Sequence, residues 1–169
     1  MQFFYKNNMK ILNINYGSEN NLEKRLSNLY PHEFTIDGYS MLSWEGFIQS
    51  LKTPDIKIKK KLWGLYGYQA WKGGQGINWW DKQEVYWIDQ PIDRHSEEYT
   101  DLITHSYDCL FEQNENFRIA LKESIGYKLE HTIGKTNKSE TLLTKKEFIF
   151  QLERLRERVK PKRFFNLFG

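Results

Sequence analysis

The sequence predicts a helix-rich α+β fold with a small N-terminal β-hairpin or sheet. Apolar residues recur at helical spacing in several segments, whereas a single short stretch around Asp37 and Gly38 alternates apolar and polar residues. The length of 169 residues is close to that of one ordinary domain. We therefore expect residues 1–169 to form a single domain, with residues 160–169 as a basic and aromatic C-terminal tail that folds back or packs against another chain.

The strands are expected early in the chain. Met9 to Tyr16 is apolar and β-branched enough for a first strand. A loop over residues 26–31, ending at Pro31, separates it from a hairpin over residues 34–41. An Asp-Gly pair flanked by alternating residues favours a two-residue hairpin turn, because both turn positions need a positive φ.

Four helices are expected, and each has its own boundary signal. Over residues 43–53, apolar side chains stand at i, i+3, i+4 and i+7, and Pro54 ends the helix. A second helix begins after Ser96 as N-cap and runs to Asn114, and a third follows Asn116 and ends at Gly126. The last begins at Thr144, whose T-x-x-E pattern predicts a capping box, and ends at Pro161.

Residues 63–94 combine five glycines with several tryptophans and tyrosines. We expect this region to be mostly irregular, with one short element near residues 81–88. Its Lys72-Gly-Gly-Gln-Gly76 run is compatible with a phosphate-cradling loop or with a flexible lid. Since the sequence lacks the G-K-[ST] ending of a P-loop, a nucleoside-triphosphate site is not expected.

Composition excludes several classes of protein. The single cysteine rules out an internal disulfide framework and fits a reducing compartment. No stretch approaches the roughly 20 apolar residues of a membrane span, and the first residues lack the apolar core of a signal peptide. The four histidines lack metal-ligand spacing. We expect a cytoplasmic protein without a bound metal or cofactor.

The net charge of +3 is distributed unevenly. Residues 154–163 hold six basic side chains and one acid, a local charge of +5. The remainder is slightly acidic, so a basic field over the whole surface is not indicated. This run and the second basic run, over residues 57–61, each fit a solvated face or a phosphate contact.

The helix over residues 43–53 carries the candidate chemistry. Glu45, Gln49 and Lys52 stand at i, i+4 and i+7, which places them in a stripe about 60° wide on one helix edge. A carboxylate held beside a cation stabilises a developing oxocarbenium ion or activates a water molecule. The same spacing also fits an ordinary solvated face.

Residues 26–52 resemble the opening signature of the NADAR (YbiA-like) family. The matching elements are Leu26-Ser-Asn-Leu-Tyr-Pro31, then Phe34 and Asp37-Gly38, then an S-x-E-x-x-x-Q-x-x-K helix from Ser43. Weaker similarity extends to about residue 157. The resemblance implies an N-glycosidase that removes ADP-ribose from guanine in DNA or cleaves a riboflavin-pathway intermediate, with an ADP-ribose-containing nucleotide or ADP-ribosylated DNA as its substrate.

The resemblance also implies the site. Glu45 matches the catalytic carboxylate, and Lys52 is a second catalytic candidate that meets phosphate or attacks the anomeric carbon through a Schiff base. Adjacent tryptophans cannot both face inward, and we expect Trp80 to face the cleft. The expected substrate-binding residues are Ser27, Asn28, Gln49, Trp80, Asp93, Arg94, His131 and Lys135.

Two family motifs are altered here. The D-W pair corresponds either to Trp80-Asp81, in reversed order, or to the segment over residues 93–95. A later D-x-x-W-G segment lacks its acid, and Glu130, His131 or Lys135 is left to occupy that space. The alternative function is therefore a module that binds NAD or ADP-ribose without cleaving it. A third possibility is a nucleic-acid-binding accessory protein that uses residues 154–163.

Overall fold

The computed structural model describes residues 9–162, which contain seven helices and three two-stranded sheets. The helices are α1 (Asn21–Arg25), α2 (Trp44–Ser50), α3 (Ile56–Trp63), α4 (Gly67–Gly73), α5 (Glu97–Gln113), α6 (Glu115–Glu123) and α7 (Lys145–Val159). The strands are β1 (Ile11–Asn13), β2 (Phe34–Ile36), β3 (Tyr39–Met41), β4 (Glu84–Trp87), β5 (Gln90–Asp93) and β6 (Lys128–Glu130). The predicted helix-rich α+β class with an N-terminal hairpin is confirmed.

The sheets are small and separate. Strands β2 and β3 form the predicted hairpin, with Asp37 at φ 49° and Gly38 at φ 85° in its turn. Strands β4 and β5 form a second hairpin, and β1 pairs in parallel with β6. The expectation that all strands lie near the N-terminus was wrong, because β1 takes its partner from more than a hundred residues away and local sequence patterns do not report such pairing.

Helix α2 lies at the centre of the fold. Every residue from Trp44 to Ser50 is buried. Ser43 caps its N-terminus by accepting from the Gly46 N–H at 3.0 Å and donating to the Leu65 carbonyl at 2.8 Å. Helix α3 packs so closely that a side chain on Gly46 would meet the Leu62 carbonyl. The helix predicted over residues 43–53 is confirmed, with Ser43 as its N-cap and its last residue at Ser50.

Residues 63–94 are more regular than the sequence predicted. Helix α4 and the β4–β5 hairpin lie in the region expected to be mostly irregular, with β4 where one short element was expected, and α3, which was not predicted, ends where that region begins. The glycines lie at the ends of these short elements: Gly64 follows α3, Gly67 begins α4 at φ 60°, and Gly74 follows α4. Helices this short contain too few apolar residues to show a helical spacing in the sequence. Helix α1 was not predicted for the same reason.

The later helices agree with their predicted boundary signals. Ser96 caps α5, and Thr144 and Glu147 form the complete capping box of α7. Helix α6 begins two residues before its predicted start, because the Asn114 side chain accepts from the Phe117 N–H. Strand β6 was not predicted.

Large aromatic side chains fill the core. Trp44 stacks on Tyr107 with ring centroids 4.3 Å apart, and its indole N–H donates to Ser106 Oγ at 3.0 Å. The Trp63 indole likewise donates to Ser50 Oγ. Buried rings that also satisfy their polar atoms fix the position of α2 more narrowly than aliphatic packing does.

The two basic runs differ: in the first only Lys59 is engaged within the fold while Lys57, Lys60 and Lys61 are exposed, and in the second most arginines have partners. Lys59 is fully buried and donates to the backbone carbonyls of Ser50 and Tyr86 at 2.8 and 2.6 Å. In the second run, Arg154 and Arg158 pair with Asp108 on α5. The aromatic part of the expected tail, residues 163–169, lies outside the described residues.

Between residues 9 and 162, no helix is both long enough and apolar enough to cross a membrane.

Lys59 predicts a pH dependence of stability. Burial lowers its pKa to about 8 from the ordinary 10.5. Between these two values the unfolded chain binds more protons than the folded chain, so the stability contributed by this group rises with pH. Between pH 7.5 and 9.5, the unfolding free energy of the wild type should rise by roughly 1–2 kcal/mol relative to that of Lys59→Met.

Urea unfolding of both proteins at the two pH values measures this difference. Lys60→Met, which changes an exposed neighbour on the same helix, is the control and should follow the wild type. Parallel pH profiles for the wild type and Lys59→Met would contradict the prediction.

Candidate functional site

A cavity of about 540 Å³ opens beside helix α2. Its walls come from α2, α4, the loop around Asn28 and the segment over residues 131–143. Trp44, Ile48, Trp79, Leu142 and Phe148 make one side apolar. The volume lies within the range of small-molecule and cofactor sites, and a mostly apolar lining with a few polar groups is typical of them.

The predicted polar edge of α2 faces this cavity. Gln49 Nε2 donates to Glu45 Oε1 at 2.7 Å, and Lys52 Nζ donates to the Gly74 carbonyl at 3.0 Å. Glu45 and Gln49 are each only 7% exposed, which rules out the solvated-face interpretation of their spacing. Glu45 also lies in the first turn of α2, where the helix dipole favours a negative charge.

Burial perturbs both ionisable groups of this row. It raises the pKa of the Glu45 carboxyl, while the hydrogen bond from Gln49 and the charge of Lys52 oppose that rise. Burial lowers the pKa of the Lys52 ammonium. The negative charge of Glu45 raises this pKa, and the positive charge of Lys135 lowers it further. A carboxylate and an ammonium thus share a poorly solvated wall, an arrangement typical of functional sites.

The loop before β2 supplies the next wall. The Asn28 carbonyl accepts from the Glu45 N–H at 2.9 Å, which joins the loop to the start of α2. Asn28 Oδ1 accepts from the Tyr107 hydroxyl at 2.8 Å, so its amide nitrogen is the part left to donate to a ligand. Ser27 is buried beside it, and its hydroxyl accepts from the Leu29 N–H.

His131 and Lys135 line the cavity on the side of the later segment. His131 Nδ1 donates to the Ile14 carbonyl at 2.8 Å, which leaves Nε2 unprotonated in the neutral ring. Burial lowers the pKa of His131 and so favours this neutral form. Lys135 is exposed, which keeps its ammonium available to a charged ligand.

The cavity therefore brings together seven of the ten residues that the sequence singled out. They are Ser27, Asn28, Glu45, Gln49, Lys52, His131 and Lys135. The remaining three, Trp80, Asp93 and Arg94, do not line it.

Of the two adjacent tryptophans, Trp79 lines the cavity and Trp80 does not. Trp79 is 5% exposed and belongs to the core, whereas Trp80 is 47% exposed to solvent outside the cavity. Asp93 is exposed at the end of β5, where its carboxylate accepts from the His95 N–H at 2.8 Å. Neither of these expected ligand contacts is supported by the position of the side chain.

Arg94 is a structural residue of the core, not an available phosphate ligand. It is 1% exposed and donates to both carboxylate oxygens of Glu147, at 3.2 and 2.8 Å. Its Nε donates to the Thr141 carbonyl at 3.0 Å, and its guanidinium lies 4.6 Å from the centroid of the Tyr99 ring. Because these partners use its donors, Arg94 anchors the start of α7 and the cavity segment around Thr141.

Sequence reasoning missed an aromatic rim at the mouth of the cavity, formed by Tyr16, Tyr68 and Trp71. Tyr16 and Tyr68 meet edge to face with centroids 5.3 Å apart, and Trp71 is 45% exposed. Tyr68 and Trp71 stand at i and i+3 on α4. Their shared face would have indicated the rim had that helix been predicted.

The arrangement suits chemistry at a sugar carbon. A buried carboxylate can oppose positive charge that develops on the substrate, and two lysines can meet anionic groups. Exposed rings at the mouth offer stacking surfaces to a planar base.

Comparisons with known proteins identify relatives in sequence and in fold. The family model described as bacteriophage protein GP30.3 matches residues 21–157. A protein of Enterobacteria phage T4, described as an uncharacterized 17.1 kDa protein in the Gp30-rIII intergenic region, is 34% identical over 134 residues, covering 78% of this chain and 88% of the phage protein. The NMR structure of the E. coli protein YbiA is similar in fold, with a TM-score of 0.57 and 16% identity, and the match covers 89% of this chain and 85% of that chain.

The role found for Arg94 predicts a large loss of stability on its removal. Arg94→Ala removes the buried arginine from the partly buried Glu147 carboxylate, which keeps only Thr144 and the exposed Lys138 as partners among the described residues, and this should lower the unfolding free energy by about 3 kcal/mol. Arg158→Ala, which breaks exposed ion pairs with Asp108 and Glu112, should cost less than about 1 kcal/mol. Chemical denaturation of both variants measures the difference, and equal losses would contradict the structural assignment of Arg94.

Proposed function

The chain belongs to the bacteriophage GP30.3 family, within the NADAR/YbiA-like clan, and on that premise we propose that it is an N-glycosidase. The proposed reaction is hydrolysis of the bond between a ribose and a base. The substrate is either ADP-ribosylated guanine in DNA or a related nucleotide such as a riboflavin-pathway intermediate. The observation that carries the proposal is the buried Glu45 carboxylate, hydrogen-bonded to Gln49, in the wall of the cavity.

The proposed mechanism centres on the anomeric carbon. The C1–N bond breaks and its electron pair leaves with the base, while positive charge develops on the ribose ring. Glu45 stabilises that charge as a carboxylate and accepts a proton from the attacking water, whose oxygen forms the new bond to C1. The departing base takes up a proton from solvent, which completes the hydrolysis.

The other cavity residues fit binding roles in this proposal. Lys52 and Lys135 offer positive charge to phosphates, and the Asn28 amide donates to a hydroxyl of the ribose. His131, as a neutral acceptor at Nε2, accepts from a second hydroxyl or from the attacking water. The rim of Tyr16, Tyr68 and Trp71 offers stacking surfaces to a base.

The altered later motif bears on this proposal. Of the three residues that are candidates for the space of the missing acid, His131 and Lys135 line the cavity, whereas Glu130 does not and pairs with Lys128. A histidine and a lysine in place of an acid leave Glu45 as the carboxylate of α2 that faces the substrate. Glu140 also lines the cavity, but it is exposed, so Glu45 is the buried carboxylate of the lining and the one to which the mechanism assigns the chemistry.

Lys52 provides a second route to the same products. Burial lowers its pKa and so increases the share of neutral amine, which can attack C1 and expel the base. Breakage of the C1–O4 bond then opens the ribose ring and gives a Schiff base, which water hydrolyses. Borohydride reduction during turnover attaches the sugar to Lys52 only on this route.

The alternative function is a module that binds NAD or ADP-ribose without cleaving it, a possibility favoured by the missing acid of the later motif. Calorimetric titration with ADP-ribose, run beside the turnover assays, separates the two functions. Binding without turnover of any substrate would support the module and overturn the glycosidase.

The proposal predicts that Glu45→Gln abolishes catalysis without harming the fold. Wild-type protein should release free ADP-ribose or ribose phosphate from a short DNA with ADP-ribosylated guanine or from the nucleotide substrates, as detected by mass spectrometry. Glu45→Gln should be slower by roughly 10²–10⁴-fold, the usual contribution of a general acid–base group. Glu130→Gln, outside the cavity, is the matched control and should retain turnover.

The unfolding free energy of Glu45→Gln should equal or exceed that of the wild type at pH 7, because the amide removes the cost of burying a charge. The folded pKa is raised, so the wild type loses stability as pH rises from the ordinary glutamate range through that folded value. A Glu45→Gln protein that is inactive because it is unfolded would leave the catalytic assignment without support.

The same pKa direction predicts the pH dependence of the rate. If Glu45 acts as the carboxylate, kcat/KM should rise with pH through a midpoint above the ordinary glutamate value, because burial disfavours ionisation. Steady-state rates between pH 4 and 8 give this midpoint. An acid limb at or below the ordinary pKa of glutamate would contradict the assignment of the limb to Glu45.

A further inference from the structure

We propose that Gly74 is a positioning residue: it packs against the Gln49 amide and so keeps that amide directed at Glu45, and its carbonyl accepts a hydrogen bond from Lys52. The inference rests on the proposed function for its catalytic meaning. The geometry on which it is built does not depend on that function.

The backbone of Gly74 gives no reason for a glycine. The residue is the C-cap of α4, with φ −93° and ψ −3°, a conformation open to any amino acid. A Cβ at this position would lie 1.9 Å from Gln49 Oε1 and 2.7 Å from its Cδ. The missing side chain is therefore required by the neighbouring amide and not by the chain conformation.

The Gln49 amide is held between two surfaces. On one side its Nε2 donates to Glu45 Oε1, and on the other its Oε1 lies against Gly74. Oε1 is buried and has no hydrogen-bond partner among the described residues. The reverse orientation would set the amide oxygen against an ionised carboxylate, so the fold keeps an unsatisfied acceptor in order to direct the amide N–H at Glu45.

Gly74 also reaches the second catalytic candidate. Its carbonyl accepts from Lys52 Nζ at 3.0 Å. One residue of the glycine-rich segment thus contacts both side chains that follow Glu45 in the polar row, Gln49 and Lys52. The segment that the sequence left open as a phosphate cradle or a lid therefore packs against this row in the described structure.

The position of the Gln49 amide affects the ionisation of Glu45. The charged and titratable groups around this carboxyl are Lys52 after the end of α2, Tyr107 on α5, and His131, Lys135 and Glu140 in the later segment that lines the cavity. The Gln49 hydrogen bond favours the ionised form of Glu45. Displacing the amide therefore raises the pKa of Glu45 while these other groups stay in place.

The test compares Gly74→Ala with Gly64→Ala. Gly64 is also a helix C-cap in ordinary backbone geometry, with φ −88° and ψ 11°, and a Cβ there would meet nothing closer than 3.7 Å. The readout is the pH titration of the Glu45 carboxyl carbon by ¹³C NMR, assigned by its absence in Glu45→Gln. Gly74→Ala should raise the midpoint by roughly one pH unit, the size expected for loss of a hydrogen bond to a charged group, and Gly64→Ala should leave it unchanged.

A double-mutant cycle with Gln49→Gly tests whether Gly74 acts through the Gln49 side chain. Glycine is the matched choice at position 49, because the Gln49 Cβ itself would lie 2.8 Å from a Cβ on residue 74. Gln49→Gly alone should raise the midpoint to the same extent, and adding Gly74→Ala should then change nothing. An unchanged midpoint in Gly74→Ala, or a further rise on the Gln49→Gly background, would overturn the proposal. If Gly74→Ala does not fold, the double variant should fold, because it removes every Gln49 atom that the new Cβ would meet; an unfolded double variant beside a folded Gln49→Gly would equally overturn it.

The titration does not require turnover, so the two proposals fail separately. If the wild type cleaves none of the substrates, the proposed function fails, and the midpoints still decide the role of Gly74. If turnover is seen, the acid limb of kcat/KM should move to higher pH in Gly74→Ala and remain in place in Gly64→Ala.

Discussion

The enclosure of helix α2 is the constraint on which the rest of the structure depends. A helix of seven residues is not stable by itself in water, so its existence depends on the elements packed around it. All seven residues are buried, and three of them, Glu45, Gln49 and Ser50, have polar side chains. Each buried polar atom must form a hydrogen bond or else cost free energy on folding, and the side-chain atom of α2 that lacks a partner, Gln49 Oε1, belongs to the amide that contacts the candidate carboxylate. That cost falls where the chemistry is proposed, as is common at functional sites.

Two buried cations and one half-buried cation link elements of the fold to one another. Lys59 joins the end of α2 to β4, Arg94 joins the end of β5 to α7, and Arg156 of α7 donates to the Ser124 and Tyr127 carbonyls beyond α6. Each of them satisfies backbone carbonyls where two elements meet and no regular hydrogen bond is available. Several basic side chains of this chain thus form hydrogen bonds inside the fold and do not simply add charge to its surface. For that reason, the run over residues 154–163 is weak support for a nucleic-acid-binding surface.

Elements with their own periodicity or capping signal could be predicted from the sequence, and these include α2, α5, α7 and the β2–β3 hairpin. The stripe of Glu45, Gln49 and Lys52 was predicted for the same reason, since spacing on one helix fixes which side chains share an edge. The parallel β1–β6 pair and the helices α3 and α4 depend on tertiary contacts, so their short sequences did not reveal them. Arg94 and Trp80 were predicted to line the cavity and do not. Whether an arginine forms a buried ion pair, and which of two adjacent tryptophans faces inward, both depend on tertiary packing that a single sequence does not report.

The pairing of β1 with β6 sets the order in which this protein can acquire its site. His131 is held by the carbonyl of Ile14, so one wall of the cavity joins two parts of the chain separated by 117 residues. During synthesis on the ribosome, α2 and the loop before it emerge long before β6 and the segment that follows it. Contacts of such long range form late, because chain entropy must be lost before they contribute. The carboxylate is therefore synthesised well before the wall opposite it, and the complete cavity appears only when nearly all of the chain has been made.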